Sequence, residues 1–328
     1  MAAYADNNHP LFLGTMLMHT RRLFLRFIMG TLCAQSLAFG LSGPCGSEGS
    51  PNLTYRSAAS EVRLVFFATD QHNHQVEGLQ KSDFAVIDDD TVIRDFRSFT
   101  RSAAIKLDVI VLFDSSESVL PQFKQEMSDV LQLVSQWPWN PEDNVSVLSF
   151  SGVQAHPLCT EDCRTAFTAD RVASLPRGGS TPLFDALDTA TSLLGRRRQP
   201  DVWPVIILFS DGDDTISVSS FHDALQKVLA SGAQVYAVDV RTPRQPSSGT
   251  ATLQRLADDS GGRYVRIGEG AARIFGDVIE DLHSALVVTY VPPKSSHDFH
   301  SVRILPTQNL KLQFRCRRGY YHPIGTAH

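Results

Sequence analysis

Basic residues are too few to build a nucleic-acid surface. Lys and Arg number 30 against 35 Asp and Glu, a net charge of −5, and no basic stripe stands out. Beyond the first forty-odd residues no apolar run is long enough to span a membrane. No G-x-G-x-x-G follows the first long apolar strand, so a dinucleotide-binding reading fails. Nor can a Ser-His-Asp or Cys-His arrangement be assembled at the strand ends, which leaves nucleophilic catalysis without its parts. Cysteine is sparse, with five residues in 328. What remains is a chain long enough for two domains, with a hydrophobic content of 42%, ordinary for globular proteins.

The organising stretch is Leu107 to Ser118, LDVIVLFDSSES. An unbroken apolar run ended by turn residues reads as a strand buried on both faces, the kind found in parallel sheets. Asp114 then sits where the strand ends, with Ser116 and Ser118 following at spacing two. In open α/β sheets the carboxyl ends of the strands form the ligand crevice. A carboxylate and two hydroxyls placed there offer only oxygen ligands, which suits a hard cation such as magnesium or manganese.

Two further segments accompany this one. Arg177 to Leu187, RGGSTPLFDAL, carries Thr181, and Val205 to Asp213, VIILFSDGD, carries Asp211 at the end of another apolar run. In this order the three segments resemble the metal-ion-dependent adhesion site of von Willebrand factor type A domains. The resemblance implies that Ser116, Ser118 and Thr181 are hydroxyl ligands and that Asp114 and Asp211 supply the charge. Two carboxylates nearly balance a divalent ion, so the Mg2+ or Mn2+ stays electrophilic toward one more oxygen, which an acidic side chain of a partner protein would supply. The expectation is a non-enzymatic, metal-dependent protein-binding module. An alternative is a scaffold whose cation only ties three loops together. A phosphatase of the haloacid dehalogenase type would need a second acid where Ser116 stands.

Residues 1–52 read as an export signal and linker. TRRLFLR is followed by an apolar stretch and a Gly/Ser/Pro-rich exit, and it resembles the twin-arginine motif through Arg21 and Arg22. The polar residues before it suggest a true start at Met16 or Met18. Pro44 argues against a lipoprotein signal at Cys45, and an uncleaved anchor helix is the competing reading. The expected location is periplasmic, envelope-associated or secreted. In such a compartment Cys159 and Cys163 form a local disulfide; zinc would need more ligands than the nearby His156.

Strand and helix patterns alternate from 105 to 291, which predicts a doubly wound, mostly parallel sheet. Helices are expected at Val119–Gln136, Pro182–Leu194, Val218–Ser231 and Ala271–Ala285. Short strands at 56–104 and 292–328 are too few on either side to bury a core alone. Together they would complete one small β-sandwich with the α/β domain inserted in it. VEGLQKSDFAVIDDD and the closing RRGYY resemble the VWFA-related acidobacterial proteins, which share this arrangement. Asp88 to Asp90 read as a solvated hairpin tip, His72 and His74 as loop residues, and Trp137-Pro138-Trp139 as a cover for the preceding helix end.

Overall fold

A computed structural model describes residues 61–321 apart from 102–104, 137–138, 162, 242–246, 267–270 and 296. The export segment, with Arg21, Arg22 and Cys45, lies outside the described residues, as do Trp137 and Pro138.

Four short strands come first: β1 (Val62–Thr69), β2 (Phe84–Asp88), β3 (Thr91–Ile93) and β4 (Ser98–Arg101). The α/β region follows with β5 (Lys106–Asp114), α1 (Phe123–Gln136), β6 (Asn144–Ser151) and β7 (Gln154–Cys159). Two short helices, α2 (Cys163–Ala166) and α3 (Ala169–Ala173), lead into α4 (Leu183–Arg196) and β8 (Val202–Ser210). Then come α5 (Phe221–Ser231), β9 (Gln234–Asp239), α6 (Ser248–Ser260), β10 (Arg263–Arg266) and α7 (Ala271–Ser284). The last strands are β11 (Leu286–Tyr290), β12 (Phe299–Pro306), β13 (Gln313–Cys316) and β14 (Gly319–Tyr321).

The central sheet has six strands in the order β10-β9-β8-β5-β6-β7, parallel except for β7 at one edge. The apolar run of β5 is buried from Asp108 to Asp114 because both faces are covered. Val109, Val111 and Phe113 point into a core with Met127 and Val130 of α1 and Leu282 of α7. Ile110 and Leu112 point the other way, toward Leu187 of α4, Val228 of α5 and Leu253 of α6. Each such side chain contributes about 1.5–3 kcal/mol by leaving water. The chain passes from β5 to β6 on one side and later reaches β8 on the other. A crevice therefore opens at the carboxyl end of β5.

Two helices start later than their apolar pattern suggests. A 3-10 turn at Glu117–Val119 precedes α1, and Pro121, which has no amide to donate, separates the two. Helix α5 begins at Phe221 because Ser220 and Asp223 form a capping box there.

Two antiparallel sheets, β13-β1-β11-β4 and β14-β12-β2-β3, enclose a separate core. Phe66 packs against Phe84 at 5.0 Å, and Phe84 against Phe96 at 5.2 Å. Each sheet draws strands from both sides of the α/β region, as expected of a sandwich interrupted by it. Leu286–Tyr290, which the sequence reading leaves inside 105–291, pairs with β1 and β4. The architecture is thus an α/β doubly wound sheet with a small β-sandwich.

Asp88 corrects the hairpin-tip expectation. It is fully buried, accepts hydrogen bonds from the Tyr290 and Tyr320 hydroxyls at 2.8 Å each, and lies 2.9 Å from His300 Nδ1. Asp89 and Asp90 are the less buried residues of that turn. His72 and His74 are exposed. The Trp139 indole donates to the Val134 carbonyl at 3.1 Å and so covers the end of α1. Cys159 and Cys163 are joined in a disulfide, and Cys316 has no disulfide partner among the described residues.

Candidate metal centre

Three loops meet at the carboxyl end of β5. The first carries Asp114, Ser116 and Ser118. The Ser115 amide donates to the Phe150 carbonyl at 2.9 Å, which fixes the loop against β6. The Asp114 carboxylate accepts from the Ser116 amide and from the Ser210 hydroxyl, each at 2.9 Å. The Ser116 and Ser118 hydroxyls are 3.2 Å apart, and the Ser118 side chain stabilises the charged form of Asp211 by hydrogen bonding.

The second loop carries Thr181 and is laced to the first by its backbone. The Gly178 amide donates to the Ser115 carbonyl at 2.7 Å, and the Glu117 amide to the Gly179 carbonyl at 3.0 Å. Both glycines have positive φ, +89° and +81°, a region costly for residues with a Cβ. Thr181 is buried, and a reciprocal pair of bonds with Thr215 ties it to the third loop: its amide donates to Thr215 Oγ1 at 2.8 Å and its carbonyl accepts from the Thr215 amide at 2.9 Å.

The third loop follows β8. Gly212, at φ +78°, lies so close to α6 that a Cβ would collide with the Gly249 carbonyl. This contact seats Asp211 beside α6, where the Asp211 carboxylate accepts from the Asp213 amide at 3.1 Å. The five residues named from sequence thus gather at one sheet end. Asp114, Ser116, Ser118 and Asp211 are linked through side chains, and Thr181 is joined to the same loops through its backbone.

The electrostatics favour a cation. Burial raises Asp114 to about 7, and the Asp211 charge adds to the shift. Burial raises Asp211 as well. Glu126 of α1 is fully buried beneath them, neither of its oxygens has a well-formed hydrogen bond, and desolvation with the charges of Asp114 and Asp211 pushes it well above the carboxylate range. Arg241 hydrogen-bonds Asp239 and Thr250, and its charge offsets only part of the upward shift of Asp211. Three buried carboxyl groups, the buried Ser116 hydroxyl and the exposed Ser118 hydroxyl fit a hard divalent ion by charge and by donor type.

Sequence reasoning missed Ser210 and Glu126. Ser210 signals itself as the polar residue ending the apolar run VIILF. Glu126 stands three residues after Phe123 and four before Val130, on the face that α1 buries. A charge there is costly without a partner.

The von Willebrand factor type A domain family matches residues 108–276. The chain belongs to this family. The described helices include none long and apolar enough to cross a membrane. Among curated proteins, the magnesium-chelatase 60 kDa subunit of Cereibacter sphaeroides is 28% identical over 46% of this chain and 28% of its own length. That of Rhodobacter capsulatus is 23% identical over 52% of this chain and 31% of its own. The chain therefore spans less than a third of the curated relatives it matches. Among solved structures, proximal thread matrix protein 1 of the mussel byssus aligns with a TM-score of 0.47 and 18% identity, covering 59% of this chain and 50% of that one. The ArnB paralog VWA2 of Sulfolobus acidocaldarius aligns at 0.41 and 16%, covering 79% and 75%.

One expectation is corrected here. The sequence reading made the chain a non-enzyme, yet both curated relatives are subunits of a chelatase, an enzyme. Membership of the type A family does not separate binding modules from parts of enzymes.

Proposed function

We propose that this chain is an exported, metal-dependent protein-binding module of the type A family. Asp114, Ser116, Ser118, Thr181 and Asp211 would hold a magnesium or manganese ion, and the partner would offer an acidic side chain to it. One observation carries the reading: Asp114, buried and raised to about 7 in part by the Asp211 charge, accepts from the Ser210 hydroxyl, while the Ser118 hydroxyl bonds Asp211. When bound, the ion supplies an electrophilic position for an incoming oxygen. The chain's own part is to orient Ser116 and Ser118 through the Asp114 turn, and to keep Thr181 in register through Gly179 and Thr215. The buried carboxylates discourage any less strongly attracted cation.

Titration calorimetry with manganese tests the site. Wild type is expected to bind one equivalent at millimolar levels or below. Asp114→Ala removes the central carboxylate and should abolish binding, whereas Thr181→Ala should retain metal weakly and lose chelator-sensitive capture of acidic partners more severely. A wild type that binds no divalent ion, or an Asp114→Ala protein that binds it equally, sinks the reading, with circular dichroism as the folding control.

The chelatase relatives favour a second reading, in which the acidic partner belongs to an enzyme assembly that this module completes. Partner capture followed by assay of the captured complex, with and without chelator, separates the two. For the domain division we propose an inserted type A domain, 105–285 once β11 is assigned by pairing, within a sandwich built from 56–104 and the residues after 285.

A further inference from the structure

A cleft of about 650 Å3 lies at the end of the central sheet opposite Asp114. There the starts of β5 and β8 and the ends of α4 and α5 meet the flanking strands β1, β4 and β11. Its volume is that of a small-molecule site. Val65, Leu229 and Val287 give it apolar walls.

Its charges are unevenly matched, with Glu61, Asp108 and Asp201 against Arg63, Arg197, Arg198 and Arg317. Asp108 is paired with Arg197 at 3.5 Å, and the exposed Asp201 acts on Arg63. Arg317 and Arg198 have no such carboxylate: among the described residues neither takes part in an ion pair. Arg317 donates from Nη2 to the Arg63 carbonyl at 2.9 Å and lies over the Tyr320 ring at 5.2 Å. Its Nε is fully buried and has no hydrogen-bond partner among the described residues. Burial lowers the Arg317 pKa, and the Arg198 charge presses in the same direction. Two guanidinium groups therefore face one cleft and repel each other. The nearby end of α5 at Gly232 supplies only a partial negative charge. A half-buried guanidinium with a buried Nε and no anion is unfavourable, and its planar fork matches a carboxylate or phosphate.

We propose that this cleft is a binding site for a small organic anion. A single carboxylate or phosphate would lie between Arg317 and Arg198, with an apolar body against Val65, Leu229 and Val287. The site is separate from the candidate metal centre and does not depend on it.

The test is calorimetry on the full chain at fixed ionic strength, with benzoate and phenyl phosphate as probes and chloride as the control. Saturable binding of at least one probe is expected, and which of them binds assigns the headgroup. Arg317→Met should abolish it. Arg198→Glu, a change at an exposed side chain, should weaken it at least tenfold while leaving manganese binding unchanged. If Arg317→Met fails to fold, the Arg198→Glu comparison decides alone. The proposal is overturned if neither probe binds wild type above chloride, or if Arg198→Glu binds the probe as wild type does.

Discussion

The Tyr290 hydroxyl donates to the Asp88 carboxylate at 2.8 Å, joining residues 202 positions apart in the chain. Asp88 ends β2, before the α/β region, and Tyr290 ends β11, after it. Tyr320 and His300 close on the same carboxylate, so one buried charge draws its partners from three strands of the far half. Burial and the Asp88 charge hold the Tyr290 and Tyr320 hydroxyls above the usual range, as donors. Removing one side of a buried hydrogen-bonded charge costs about 3–5 kcal/mol. Asp88→Ala should lower unfolding stability by that order, and Tyr290→Phe by about 1–3 kcal/mol. Urea unfolding of both variants and their double mutant checks the coupling, with manganese affinity as an unaffected control.

The same pairing sets an expectation for fragments. Residues 105–285 should fold alone, since their six strands and helices supply nearly all of two cores, to which the flanks add Val65, Phe67 and Tyr321. Residues 56–104 should not, because Leu64 and Phe66 of β1 are covered by strands that arrive after residue 285. Cooperative urea unfolding of 56–104 by itself would refute the insertion proposal.

The metal-free protein should become less stable as pH rises. Asp114 titrates at about 7 in the folded chain, against 3.8 in the unfolded one. Between those values the folded state holds more protons, so its stability falls with increasing pH, by up to about 1.4 kcal/mol per unit from this group. Above about 7 its contribution is flat. Thermal melts in chelator at pH 4.5, 6 and 7.5 should show this slope more strongly in wild type than in Asp114→Asn. Manganese should offset the loss at the upper end, where no proton competes for the carboxylate. Equal slopes in the two proteins would show that Asp114 is not the group responsible.

The proposed export, if read through the twin-arginine motif, makes a separate prediction. Replacing Arg21 and Arg22 by Lys should retain the protein inside the cell. Unchanged secretion of that variant, together with its loss when the general route is blocked, would reassign the signal type. Fractionation followed by immunoblotting gives the answer.

The central sheet was legible in the chain because its information is local, and the gathering of its loops was implied by the resemblance of three segments to the type A adhesion site. LDVIVLF is apolar on both faces, and Asp114, Ser116 and Ser118 follow it without a break. Thr181 and Asp211 likewise stand at the edges of segments whose pattern is complete within a dozen residues. The disulfide closes a loop short enough to read directly. Partner choice among the short flanking strands was not legible, since alternation with period two states which face is buried and not which strand lies alongside. For that reason Asp88 looked like a solvated turn residue until β11, β12 and β14 enclosed it, and Leu286–Tyr290 looked like the last part of the α/β region. The positions of Ser210, Glu126 and Arg317 were likewise decided in three dimensions. Ser210 and Glu126 carry a local signal, at the end of an apolar run and on an apolar helix face, but the energetic weight of all three comes from groups far along the chain that exclude water from around them.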